Sequence, residues 1–236
     1  MADRPLLALP GGTVTFLLTD VEASTRLWQE WPGEMGPAIE RHYEILDAAI
    51  ASAGGVRPVE QGEGDSVVGA FSRAGDAIRA ALDAQVVLLA EIPWLKVRMA
   101  IHTGVAQFRD QGNYVGRSII RCARLRSCAH GGQVLVSETA APLLADALPD
   151  EASLVDLGVS RLRDLNRSEQ VWQLSHPALS SVFPALRSLD SVPHNLPRPL
   201  TSFIGRDAER VDVSTGCPLR PISRSASSCV PTWRGR

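Results

Sequence analysis

Residues 13–19 read TVTFLLT and run directly into Asp20. A near-continuous β-branched and apolar run of this length suits a central strand. Working outward, the short turn VEAST leads to a helix. Its stripe Ile39, Tyr43, Leu46 and Ile50 falls on one helical face, and Gly54 and Gly55 would stop it. Residues 56–61 and 66–71 are two short strand candidates around the glycine-flanked GEGD of 62–65, which reads as a hairpin. Ile78, Ala81, Leu82, Val86 and Leu89 mark a second amphipathic helix. After Pro93, Leu95, Val97, Met99 and Ile101 alternate with Lys96, Arg98, Ala100 and His102, the pattern of a half-buried strand.

The order β, α, β, β, α, β predicts an α/β (α+β) domain of the ferredoxin-like, split βαβ kind. Helices would cover one sheet face and leave the other for a site or a partner. An added C-terminal α/β extension follows. It comprises a polar hairpin tip RDQGN, a helix over 116–129, a strand over 133–136 and a helix capped by Ser137 that ends near Leu148. Two or three short strands, at 154–157, 161–165 and 171–174, complete it. The domain is expected to span 12–177. Residues 178–210, with Pro184, Pro193, Pro197 and Pro199, have linker composition, and the aperiodic Ser/Arg/Pro stretch 211–236 is expected to be a disordered tail.

Composition removes several function classes. Lys96 is the single lysine among 24 basic residues and has no glycines before it, so no phosphate-binding P-loop exists. Without a lysine-rich patch, contact with nucleic acid is not expected. No run of 18 apolar residues and no basic-apolar leader occurs, so the expectation is a cytoplasmic chain with no membrane contact. Cys122, Cys128, Cys217 and Cys229 lack the spacing of a zinc site or a disulfide framework.

The chemistry points to carboxylates. Asp20 ends the first strand and Asp65 lies in the hairpin, so a βαββ unit can bring both to one sheet edge. Paired hard oxygens suit Mg²⁺ or Mn²⁺ with substrate phosphates. Aspartates at strand ends also serve turns, which explains either residue alone. Ser24 and Thr25, opening the next helix, would offer hydroxyls and backbone N–H groups to a phosphate, although capping by Ser24 accounts for the same residues. His102 reads as structural, and Cys122 and Cys128 as small buried side chains.

Five blocks occur in order: TVTFLLTDVEAST, GGVRPVEQGEGDSVVGAF, VRMAIHTGVAQFRDQGNYVG, RCARL and HGGQVLVS. Together, over about residues 12–176, they resemble the catalytic domain of class III adenylate and guanylate cyclases. HNLPRPLTSFIGRD resembles the junction of bacterial regulators in which such a domain precedes an ATPase and a helix-turn-helix domain. By that likeness, the tail reads as the remnant of a truncation. The resemblance implies attack of the ribose 3'-hydroxyl of ATP, or of GTP, on its α-phosphate, with release of pyrophosphate and a 3',5'-cyclic nucleotide. It implies two Mg²⁺ or Mn²⁺ ions per site bridged by Asp20 and Asp65, a nucleoside triphosphate as partner, and sites at the interface of a homodimer.

The resemblance also assigns further residues. Arg124 matches the transition-state arginine. One turn earlier, where the family has a ribose-orienting asparagine, stands Ile120, a degenerate position whose loss of a positioned donor commonly costs about 10² to 10³ in rate. The purine-reading lysine and aspartate correspond to Gln61 and Asn113, two amides whose donor and acceptor ends can exchange and so enforce neither base. Ala23 stands where many relatives have glycine, which matters only if the turn needs positive φ. The expected function is therefore a low-rate cyclase, the alternative being an impaired nucleotide-binding or dimerisation module of a transcriptional regulator.

Overall fold

The computed structural model describes residues 9–59, 64–163 and 167–188. Gln61, the first half of the hairpin tip, the linker beyond 188 and the 211–236 tail lie outside the described residues.

Strand β1 (Thr13–Val21) is the second of six in a mixed sheet. It runs antiparallel between β2 (Val67–Phe71) and β3 (Val97–Val105). Beyond β3 lie β6 (Val134–Ser137), parallel to it, then β8 (Glu169–Ser175) and the edge strand β7 (Ser153–Ser160). A separate hairpin pairs β4 (Gln107–Asp110) with β5 (Asn113–Val115) at the expected polar tip. Among the described residues there are four α-helices: α1 (Ser24–Glu30), α2 (Pro32–Ser52), α3 (Ala74–Glu91) and α4 (Arg117–Cys128). The mixed α/β architecture follows the expected class.

The sheet is covered on both faces, which corrects the expectation of one open face. Leu17, Val21, Met99 and Ile101 pack with Leu46, Ile50, Ile78 and Leu88 of α2 and α3. Their alternates Val14, Phe16, Leu18 and Ala100 pack with Cys122 and Leu125 of α4. The period-2 pleat thus sends every residue of 13–19 except Thr13 into an interior, which is why the run shows no alternation. Phe16 is 1% exposed, and truncating a phenylalanine so buried costs about 3 to 5 kcal/mol. His102, a polar alternate of its strand read as structural, is buried beneath α4 for the same reason.

Other elements differ from expectation. Of the strand predicted over 56–61, the described residues 56–59 show a single bridge, Val56 to Ala70. Helix α2 begins at Pro32, seven residues before its visible stripe, because Gly33, Gly36 and Pro37 conceal a first turn that nonetheless buries Met35. After Ser137 only one 3-10 turn forms, at Ala141–Leu144. The Ser137 hydroxyl is engaged by His102 Nδ1 at 2.9 Å and caps nothing. Residues 161–163 are irregular, although Leu162 is buried. The described start of the stretch read as linker, 178–188, lies against the domain. Leu186 is buried, the Arg187 amide donates to the Cys128 carbonyl at 3.1 Å, and Arg187 pairs with Glu22.

Candidate active site

The register of β1 against β3 sets Asp20 opposite Arg98. Asp20 is on the α4 side of the sheet and only 9% exposed. Arg98 holds it bidentately, Nε to Oδ1 at 2.8 Å and Nη2 to Oδ2 at 2.5 Å. Arg126 of α4 brings Nε to 3.4 Å from Oδ2. Neither arginine was singled out from the sequence. Arg98 was visible only as one polar alternate of its strand, and Arg126 as one of four arginines on a helix.

Asp65 reaches the same place from the other side. Its Oδ2 accepts from the backbone N–H of Val21, the residue after Asp20, at 2.5 Å. Its Oδ1 accepts from Ser24 Oγ at 3.3 Å. The two aspartates, 45 positions apart in sequence, are therefore both tied to the end of β1, one as residue 20 of the strand and one by accepting from the amide of residue 21. Two neighbours on α2 hold the loop that carries Asp65. Tyr43 donates its hydroxyl to the Gly64 carbonyl at 2.6 Å, and His42 Nε2 lies 3.3 Å from the Asp65 carbonyl. Burial pushes the His42 pKa below its ordinary value, so the ring is neutral and its Nε2–H donates. His42 was missed because a histidine inside an amphipathic helix gives no periodic signal.

Between the carboxylates the chain turns at Ala23, with φ 57° and ψ 31°. This turn does need positive φ, and an alanine there carries roughly 1 to 2 kcal/mol of strain. Ala23 itself occupies the N-cap position of α1 and no side chain caps the helix, so Ser24 is not a cap but a partner of Asp65. A cavity of about 690 Å³ opens beside Asp65, lined by Ser24, Thr25, Trp28, Tyr43 and Gly64 among others.

The donor chemistry fits a divalent cation: two hard carboxylates from separate segments at one strand end. Among the described residues no cluster of three or more His, Cys, Asp or Glu groups accompanies them, so further ligands would come from backbone, substrate or water. Any such cation shares Asp20 with two guanidinium groups.

The remaining predicted residues lie on other elements. Ile120 is 51% exposed on α4, and Arg124, half-buried, sits one turn later on the same helical face. Asn113 is buried in β5, where its amide donates to both Asp110 oxygens at 2.9 and 3.1 Å. Its NH₂ end is thereby committed to the hairpin, so this amide is oriented where the sequence left it able to flip. His102 is held by Ser137 and Thr139, and burial lowers its pKa to about 4. Cys122 donates to the carbonyls of Phe16 and Ala100, and burial pushes its thiol up to about 12, the state of an inert packing residue.

No family model matches the chain. Among curated relatives, the uncharacterized protein Rv0891c of Mycobacterium tuberculosis is 49% identical over 201 residues, covering 85% of this chain and 69% of that one. Among solved structures, an adenylate cyclase of Trypanosoma brucei in its monomeric state superposes with a TM-score of 0.65 at 25% identity, over 76% of this chain and 96% of that one. An adenylate/guanylate cyclase/hydrolase from Silicibacter pomeroyi gives 0.61 at 26% identity, over 68% and 95%. No described helix is long and apolar enough to cross a membrane. With the five sequence blocks laid on this sheet order, the chain has the fold of class III adenylate/guanylate cyclase catalytic domains and is similar in sequence to proteins named adenylate cyclases, one of them from Podospora anserina at 27% identity over 54% of this chain and 7% of that one.

Proposed function

We propose that the chain is a nucleotide cyclase acting in intracellular signalling. It converts ATP, or GTP, to a 3',5'-cyclic nucleotide and pyrophosphate at low rate, as a cytoplasmic homodimer. The observation that carries this reading is the bond of Asp65 to the Val21 amide beside Asp20, because a likeness in fold alone does not require both carboxylates to be in place. Asp20 and Asp65 would hold two Mg²⁺ or Mn²⁺ ions. When bound, the pair lowers the pKa of the attacking hydroxyl and offsets the charge of the triphosphate. Ser24 and Thr25, on the wall of the 690 Å³ cavity, would face the phosphates. Arg124 would place its planar fork where charge builds on the α-phosphate. Gln61 and Asn113 would contact the base. His42 and Tyr43 keep the Asp65 loop in register.

A second reading is favoured by Ile120, which puts an apolar side chain where a ribose-orienting donor belongs. In it, the chain is a catalytically impaired nucleotide-binding or dimerisation module of a transcriptional regulator. One experiment separates the two: cyclic-nucleotide production by the purified protein with ATP and with GTP, in Mn²⁺ and in Mg²⁺. Product that depends on metal and disappears with Asp20→Ala supports the cyclase. No product from a dimer that still binds nucleotide supports the module.

A further inference from the structure

Arg126 occupies an unusual position. It leaves α4 and ends between the two segments that carry the carboxylates. Nη1 donates to the Thr19 carbonyl and to Ser66 Oγ, both at 3.2 Å, while Nε lies 3.4 Å from Asp20 Oδ2. Thr19 precedes Asp20 and Ser66 follows Asp65, so the guanidinium ties together the two segments that carry the carboxylates. The side chain is 18% exposed, and its Nε is buried with the Asp20 ion pair as its polar contact and no hydrogen bond of its own. A planar cation with a buried, otherwise unsatisfied N–H facing a carboxylate is held there by charge. Arg98 already gives Asp20 a full bidentate partner, so Arg126 is a second positive charge on a single carboxylate.

We propose that Arg126 is a built-in counter-cation that latches Asp20 and sets how tightly the site takes divalent metal. Asp20 and Asp65 carry two negative charges and Arg98 and Arg126 two positive ones, so the site is neutral before any metal enters. A cation binding at Asp20 meets Arg126 at a few ångströms in a partly desolvated setting, where like charges repel strongly. It must displace the guanidinium or bind against it. The latch also ties metal occupancy to α4, the helix that bears Ile120 and Arg124. A cation that displaces the guanidinium from Asp20 leaves Arg126 held by the Thr19 carbonyl and Ser66 alone, which loosens the tie between that helix and the carboxylates.

The inference rests on the metal site of the proposed function, and its test reads metal rather than turnover. Free Mn²⁺ is followed by electron paramagnetic resonance during titration of the full chain and of Arg126→Gln. The expected result is Mn²⁺ binding tighter by about tenfold in the variant, the scale on which one neighbouring charge shifts a carboxylate's affinity for a cation. Arg126→Met, which keeps the packing of the stem, repeats the measurement should the glutamine variant lose its fold. Equal or weaker binding in a folded variant, beside clear binding by the wild type, overturns the latch and leaves the cyclase reading standing. No binding by either protein removes the metal site, and both readings with it. A chain that unfolds with both substitutions makes Arg126 a structural tie, which overturns the latch as well.

Discussion

The carboxylate end of the site is wired from five segments. β1 supplies Asp20, β3 supplies Arg98, the loop before β2 supplies Asp65, α2 steadies that loop through His42 and Tyr43, and α4 reaches across with Arg126. Ile120 and Arg124, which the resemblance pairs with those carboxylates, stand one turn apart on one helix. Each carboxylate thus has partners from elsewhere in the fold, whereas position 120 faces outward and half-exposed. A site member held by several segments resists drift, because substituting it strands buried polar partners. A member standing alone on a helix surface is replaced with little cost to the fold. Under the proposed function, that difference accounts for Asp20 and Asp65 being kept while position 120 carries an apolar residue.

The strongest way to break the comparison is to strip the wired end. Asp65→Ala should lower cyclase kcat by at least about 10³, the rate equivalent of several kcal/mol of metal-assisted stabilisation, while circular dichroism shows the fold kept. A variant with wild-type rate would place the chemistry elsewhere. The converse is to mend the poor end. Ile120→Asn should raise kcat on the order of 10², compared at equal dimer fraction by sedimentation, because it returns an amide donor next to Arg124. If wild type is already as fast, position 120 has no part in the reaction.

The sheet face beneath α4 can be probed by pH. His102 has its pKa lowered to about 4, first by burial and then by Arg121 of α4. The unfolded chain, with an ordinary histidine near 6.5, takes up a proton that the native one refuses. Its contribution is therefore complete above about pH 6.5 and falls by up to roughly 3 kcal/mol as pH drops toward 4. Glu169, raised by burial, contributes the opposite slope above its ordinary range, so the urea midpoint of wild type minus that of His102→Gln isolates the effect. A difference that does not vary with pH would mean that His102 protonates freely in the native state.

Base choice is a smaller effect. Gln61→Lys with Asn113→Asp should shift the ATP to GTP ratio of kcat/KM by about tenfold or more, since fixed donors and acceptors discriminate better than amides. The Asn113 amide donates to Asp110, so an aspartate there meets a like charge, and the shift is expected only when Asp110→Asn accompanies it. An unchanged ratio would dismiss the pair. Smallest of all, Ala23→Gly should stabilise the protein by about 0.5 to 1 kcal/mol in chemical denaturation, relief of left-handed strain being partly offset by the freer unfolded chain. Destabilisation would mean that the αL geometry is not kept in solution.

What the sequence determined by itself was the strands at 13–19, 66–71 and 95–101 with the helices between them, and Asp20 and Asp65 as candidates, while the departure at Ile120 was read from the resemblance. Each is carried by residue type and spacing along the chain. Run 13–19 announced a strand because burial on both faces leaves no polar alternate, and Asp20 and Asp65 were marked by strand ends and glycines. Tertiary structure alone decided the rest. Only the β1–β3 register sets Arg98 against Asp20, and only the packing of α4 on the second sheet face buries His102 and aims Arg126, one of four arginines on its helix, at the carboxylates. A hydrophobic period says which face of an element is covered. The choice among like charges on that element is made by distances between segments far apart in sequence, and those exist only once the chain has packed.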